Sequence, residues 1–188
     1  MDCADIAVAV LAAGQARRFG SDKLMADLDG VLVGLHVAEM LAEMPFGWRF
    51  AVCSTSAALK QHFSAAGFVT IENSDPEMGQ SHSLHLAVRA AQATRANALL
   101  IVLADMPFVT RRHIENLVSM DEGITASTSG EHPVPPALFS RNVWPMLLTT
   151  SGDAGARELL RSAALLHAPV PELRDIDVPA DLRDTQQQ

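Results

Sequence analysis

Cysteine is nearly absent from this chain: Cys3 and Cys53 are the only two in 188 residues. Two thiols so placed give neither a disulfide framework nor a spaced set of metal ligands, and a reducing cytoplasm is the expected setting. Long apolar runs are missing as well. No stretch approaches the ~20 residues that a membrane-spanning helix needs, and Met1-Asp2-Cys3-Ala4-Asp5 is acidic where a secretory signal is basic. Positive charge is scarce, with 14 Lys and Arg against 22 Asp and Glu and a formal net charge of -8. The chain therefore lacks the basic face with which proteins coat duplex nucleic acid. Internal repeats and low-complexity linkers are also lacking, so the length predicts a single domain over residues 1–184, with 185–188 a frayed tail.

A hydrophobic content of 48% with 19% charged residues is that of a globular protein. Short apolar runs at Ile6–Leu11, Arg49–Cys53, Phe68–Ile71 and Leu99–Leu103 read as strands buried on both faces. Between them, Val37-Ala38-Met40-Leu41 and Ala87-Val88-Ala91 recur at helical spacing, and Thr110 is placed to cap a helix running to about Met120. The alternation predicts an α/β protein with crossover units and a mainly parallel sheet. After Met120 the chain is broken by Gly123, Gly130, Pro133, Pro135 and Pro136 before Ala137-Leu138-Phe139 resumes a strand pattern, which reads as an inserted, substrate-facing region. Helices are expected over Asn142–Leu148 and Ala154–Ser162, the second capped by Asp153. Late strands are expected at Leu165–Ala168 and Ile176–Val178, with Pro179 opening a last short helix.

Three segments carry chemistry. Leu11-Ala12-Ala13-Gly14-Gln15-Ala16-Arg17-Arg18-Phe19-Gly20-Ser21-Asp22-Lys23 follows the first strand directly. Gly14 is free to take φ > 0 and has no Cβ, so backbone N–H groups can approach an anion, and Arg18 and Lys23 add charge. This suggests a cradle for nucleotide phosphates, although the spacing is neither that of a Walker loop nor Gly-x-Gly-x-x-Gly. The second segment is Leu103-Ala104-Asp105-Met106-Pro107, a carboxylate at the carboxyl end of the most hydrophobic strand. Ligands of open α/β sheets bind along that edge, and one carboxylate with phosphate oxygens suits Mg²⁺. The third is the polar loop Asn73-Ser74-Asp75-Pro76-Glu77-Met78-Gly79-Gln80-Ser81-His82-Ser83-Leu84, where Gly79 permits close approach and Ser81 stands near a helix N-terminus. Each has a plainer reading: turn capping for Asp105, ordinary helix capping for Ser81 or Ser83, and solvated surface charge for Arg17, Arg18 and Lys23.

Together these segments resemble the nucleotidyltransferases that attach nucleotides to molybdopterin, most closely the molybdenum cofactor cytidylyltransferases, over nearly the whole chain. Ala12-Ala13-Gly14, Arg18, Gly20 and Lys23 match the family's first loop in order. Met78 to Leu84 is similar to its Gly-Met-Ser-x-Ser-Leu loop, Gly152-Asp153-Ala154-Gly155-Ala156-Arg157 to its Gly-Asp-x-Gly-Ala-Arg turn, and Asp175-Ile176-Asp177-Val178-Pro179 to its closing Asp-Ile-Asp segment. The resemblance implies a three-layer Rossmann-like nucleotidyltransferase fold with a mainly parallel central sheet flanked by helices. It implies cytidylyl transfer from CTP to molybdopterin, with a possible recipient apo-molybdoenzyme of the xanthine dehydrogenase type and with neither nucleic acid nor membrane as partner. Arg18 and Lys23 would be catalytic. Leu11, Ala12, Ala13, Gly14, Lys23, Asn73, Gly79, Ser81 and Asp105 would bind the nucleotide. Asp105 with Asp177 or Asp175 would hold Mg²⁺, and Asp153 and Arg157 would lie on the acceptor side. The chain departs from the family pattern at Ala16, Val31-Leu32 and His85. Guanylyl transfer to the same cofactor, transfer to a sugar phosphate or other small phosphorylated acceptor, and a cofactor-carrying chaperone are the alternatives.

Overall fold

The computed structural model describes residues 1–14, 22–120, 122–152 and 156–182. Arg18, Asp153 and the tail expected at 185–188 lie outside these. The chain begins with β1 (Ile6–Ala12), buried at every residue, because its alternate side chains serve two different cores. A small ribbon, β2 (Asp27–Leu28) and β3 (Val31–Leu32), leads into α1 (Val33–Ala42), followed by β4 (Trp48–Cys53), α2 (Ala57–Ala65) and β5 (Val69–Glu72). The chain then forms α3 (Gln80–Gln92), β6 (Ala98–Leu103), α4 (Arg111–Ser119), β7 (Ile124–Thr128) and β8 (Val134–Ser140). It closes with α5 (Trp144–Leu147), α6 (Arg157–Leu160) and β9 (Ala164–His167).

Seven strands form one sheet in the order β5-β4-β1-β6-β8-β7-β9. Four of its pairings are parallel, and β8 pairs antiparallel with both β6 and β7. The expected mainly parallel sheet is thus present with one reversed strand. On one face Ile6, Val8 and Val10 of β1 pack with Leu100 and Val102 against Val37 and Leu41 of α1, Leu59 and Phe63 of α2, and Ile114 and Leu117 of α4. On the other, Ala7, Ala9 and Leu11 pack with Leu99 and Ile101 against Leu84 and Val88 of α3, Trp144 of α5 and Leu160 of α6. Each fully buried aliphatic side chain contributes about 1.5–3 kcal/mol, so the two cores fix the central strands rigidly and leave their carboxyl ends as a stable platform.

From β1 the chain moves outward to β4 and β5, then returns to place β6 on the other side of β1. The sheet's topological switch therefore lies between β1 and β6, where open α/β sheets form crevices.

Several sequence expectations need correction. Phe68–Ile71 was expected to be buried on both faces, but β5 is an edge strand and Val69 is 61% exposed. The region after Met120 is not an insertion: β7 and β8 are interior strands of the sheet itself, between β6 and β9. The helix expected over Ala154–Ser162 is described only as α6, and Asn142–Leu148 splits into a 3-10 turn at Arg141–Val143 followed by α5. Ile176–Val178 is not a strand. Its N–H groups go elsewhere, Ile176 N to Asp105 O at 2.8 Å and Asp177 N and Val178 N to Asp181 Oδ2, each at 2.8 Å. Pro179 opens a turn rather than a helix. Thr110 does cap α4, its hydroxyl accepting from His113 N at 3.1 Å.

Candidate active site

Parallel pairing puts Leu11 of β1 opposite Leu103 of β6, and Ala104 N donates to Leu11 O at 3.1 Å. The first loop and Asp105 therefore emerge side by side at the switch point. Between them opens a cleft of about 310 Å³ lined by Leu11 to Gly14, Lys23, Gly79, Gln80 and Asp105, with Pro76, Glu77 and Ser83 on the far wall. Gly14 does not adopt positive φ. A Cβ built on it meets no atom within 4 Å, so its missing side chain leaves open space at the cleft floor rather than relieving strain. Gly79 does need glycine, at φ 83°, where it precedes α3 and lines the cleft together with Gln80, the first residue of that helix.

Lys23 stands on a 3-10 turn, Lys23–Met25, whose first N–H groups are capped by Asp22, Leu24 N donating to Asp22 Oδ1 at 3.2 Å. Leu24 packs beneath α1 at Gly34, where a Cβ would approach it to 3.0 Å, so the turn has little freedom. Lys23 Nζ donates to Asp105 Oδ2 at 2.7 Å and to Asp177 Oδ1 at 3.0 Å. Its side chain is 12% exposed and that of Asp105 22%. Burial works against the lysine charge, yet the charge and hydrogen bond of Asp105 and then those of Asp177 prevail and raise its pKa. The other oxygen of Asp105, Oδ1, is buried without a hydrogen-bond partner.

Asp177 is delivered by packing. Ile176 is fully buried and tied to Asp105 through its N–H, and the Asp181 carboxylate holds the turn that follows. The flanking aspartates serve two different places: Asp177 meets Lys23, while Asp175 lines a second cleft. Asp175 has a raised pKa, because burial disfavours its charge and Asp177 and Asp105 repel it.

That second cleft, of about 260 Å³, shares Leu11, Gln80 and Leu103 with the first. Its walls are mostly apolar, including Leu84, Met106, Phe139 and Leu160, with Arg157 and Asp175 as its charged side chains. Among the expected site residues, the structure thus brings Leu11, Ala12, Ala13, Gly14, Lys23, Gly79 and Asp105 to one cleft and Arg157 and Asp175 to its neighbour. Asn73 and Ser81 are not among the lining residues. Asn73 is fully buried, donating to Ser83 Oγ at 2.9 Å and accepting from Asp75 N at 2.9 Å, so it secures the loop from behind. Ser81 is buried in the first turn of α3. Gln80 also lines both clefts, its signal in the sequence being its position directly after a helix-opening glycine, whereas the apolar residues of the second cleft carry no local signal.

A cleft at a switch point, faced by a lysine and a carboxylate, is the arrangement with which open α/β proteins bind nucleotides. Residues 8–169 match the family model described as the MobA-like NTP transferase domain, and the chain belongs to that family. It is a nucleotidyltransferase domain of the MobA-like superfamily. The purine catabolism protein PucB of Bacillus subtilis (strain 168) is 31% identical over 186 residues, 91% of each chain. Among solved structures, Rv0371c from Mycobacterium tuberculosis H37Rv superposes with a TM-score of 0.80 at 21% identity, covering 98% of this chain and 99% of that one. The same protein has been solved as a complex with manganese. Molybdopterin-guanine dinucleotide biosynthesis protein A from Archaeoglobus fulgidus gives a TM-score of 0.69 at 20% identity, covering 96% and 97%.

Proposed function

We propose that the protein transfers a nucleotidyl group from a nucleoside triphosphate to a small phosphorylated acceptor, and that within this class it moves a cytidylyl group from CTP to molybdopterin. The observation that carries the class is the meeting of Lys23, Asp105 and Asp177 at the carboxyl ends of β1 and β6, beside a glycine-floored cleft. CTP occupies the first cleft in this reading, its phosphates on the backbone of Ala12 to Gly14, and the acceptor occupies the second. The weakly polar walls of the second cleft favour a flat heterocycle over a polyhydroxylated sugar, and Arg157 supplies a bidentate donor for a phosphate. The Bacillus relative is named for purine catabolism. Xanthine is a purine, so a cofactor made for a dehydrogenase of xanthine belongs to that context, in the cytoplasm.

The donor set also fits a divalent ion. Asp105 Oδ1 is an unpartnered buried oxygen, and no cluster of three or more acidic, histidine or cysteine ligands occurs among the described residues. Mg²⁺ commonly takes one or two carboxylates and completes its shell with water and phosphate oxygens. Asp105 would hold it, with Asp177 the nearer second carboxylate and Asp175 set toward the acceptor. When bound, such an ion neutralises phosphate charge and polarises phosphoryl oxygens.

An oxygen of the acceptor's terminal phosphate forms the new bond to the α-phosphorus of CTP. The bond from that phosphorus to the α,β-bridging oxygen breaks, and its electron pair leaves on pyrophosphate. The nucleophile is ionised near neutral pH, so positioning and charge dominate. Lys23, and Arg18 from the first loop, stabilise the charge that develops on the leaving pyrophosphate. Gln80, which borders both clefts, stands where the two substrates meet.

The test is to supply Mg²⁺ and molybdenum-loaded molybdopterin with each nucleoside triphosphate in turn and to identify the dinucleotide formed. Molybdopterin cytosine dinucleotide with pyrophosphate is expected. Preferred use of GTP overturns the base assignment, and turnover of sugar phosphates with molybdopterin untouched overturns the acceptor. Cofactor binding without consumption of any triphosphate makes the protein a carrier.

A further inference from the structure

The position of Lys23 raises a question that transfer chemistry alone does not answer. Its ammonium is hydrogen-bonded to the carboxylates of both aspartates proposed for the metal, at 2.7 Å to Asp105 Oδ2 and 3.0 Å to Asp177 Oδ1. Asp105 Oδ1 is left unpartnered, but an ion shared between Asp105 and Asp177 would need the place the ammonium holds between those two carboxylates, so ammonium and ion would contend for one position. The lysine is well set to hold it. Its turn is capped by Asp22 and anchored by buried Leu24, and its side chain is largely enclosed. Dication and ammonium side by side between two carboxylates would also repel each other strongly in this partly buried setting.

We infer that Lys23 is the cation that fills the metal position of the nucleotide-free protein, so that divalent metal enters only together with the nucleotide. A triphosphate brings several negative charges into the cleft. These draw the ammonium onto phosphate oxygens, and the place it leaves beside Asp105 is open to the ion that arrives with the phosphates. One lysine then has two successive partners, and metal cannot settle on Asp105 in advance of substrate. The inference rests on the assignment of Asp105 and Asp177 as metal carboxylates in the proposed transfer, but it concerns the order of binding, not the reaction.

The experiment is a titration of the nucleotide-free protein with Mn²⁺ alone, followed by the loss of the free-ion electron paramagnetic resonance signal. Wild type should bind weakly. Lys23→Met and Lys23→Gln should each bind at least tenfold more tightly, and adding Asp105→Asn to either should remove that gain. Circular dichroism first establishes which variants are folded. If the folded variants bind Mn²⁺ no more tightly than wild type, the inference is wrong. A wild-type nucleotide-free site of low micromolar affinity, abolished by Asp105→Asn, overturns it without reference to any lysine variant. Normal pyrophosphate release alongside either negative result leaves the transfer reading standing, whereas gated Mn²⁺ binding without turnover of any triphosphate counts against that reading alone.

Discussion

The two neighbouring clefts are built by different means. The first is made mainly of backbone and charge: the end of β1, the glycine floor at Gly14, the opening of α3, and the Lys23–Asp105 pair. The second is made of side chains from separate segments, Leu84 of α3, Ile101 and Leu103 of β6, Phe139 of β8, Leu160 of α6 and Asp175 beyond β9. In the proposed reading the first recognises what every nucleoside triphosphate shares, and the second selects the acceptor by shape and by two charges. Damage to the first cleft should therefore stop the chemistry with any acceptor, while damage to the second should change which acceptor is used.

The largest expected effect is in the first cleft. Lys23→Ala and Asp105→Ala should each lower pyrophosphate release by about 10²- to 10³-fold or more. Thermal unfolding should remain cooperative, because both side chains lie at the platform edge and outside the apolar cores. Near-normal turnover in both variants would remove the site from the mechanism. Arg157→Ala tests the other cleft. Charged hydrogen bonds are worth about 1.5–3 kcal/mol, so the KM for acceptor should rise roughly ten- to a hundredfold while the KM for nucleotide moves little. Equal changes in both constants would show that the clefts do not divide the substrates as described.

Gly14→Ala offers a finer cut. The added methyl meets no protein atom within 4 Å, so the melting temperature should hardly change. It would instead intrude on bound phosphates. Overpacking costs about 1–3 kcal/mol, or roughly five- to a hundredfold in nucleotide affinity. A loss of stability with unchanged affinity would mean that Gly14 serves the fold and not the ligand.

The same contrast explains what could be read from the sequence. Local chemistry was legible: the apolar run of β1, Gly14 and Lys23 in one loop, Asp105 ending β6, and the Thr110 cap are each features of a few consecutive residues. Parallel strands of Val, Leu and Ala announce a doubly covered sheet, and the layers followed from that. The second cleft was opaque, because Met106, Phe139 and Leu160 come together only through the antiparallel pairing of β8 with β6. Burial was not legible at Asn73, whose polar side chain is fully enclosed and satisfies the loop's own groups. Pattern misled at Ile176, where an apolar residue between two aspartates suggests a strand. There the buried side chain anchors an irregular segment that sets Asp177 against Lys23 and Asp175 in the second cleft.

The smallest predicted effect concerns the wall of the second cleft and depends on pH. His113 is buried in α4, with its Nε2 2.7 Å from Ser127 Oγ, and that hydroxyl donates to Pro136 O at 2.8 Å. Having one proton, already given to the carbonyl, Ser127 must accept from the imidazole, so the neutral ring carries its hydrogen on Nε2. This chain ties α4 to the segment that includes Pro135, which lines the second cleft. Burial lowers the His113 pKa from its ordinary 6.5, with the Glu172 charge opposing the shift only in part. The unfolded chain therefore takes up a proton at a pH where the folded one does not, and stability falls as pH drops from about 6.5 through the lower folded value. Urea unfolding of wild type and His113→Gln across pH 8 to 5 should show the wild-type advantage shrinking on the acid side. Parallel curves would mean that His113 is no more than a packing residue.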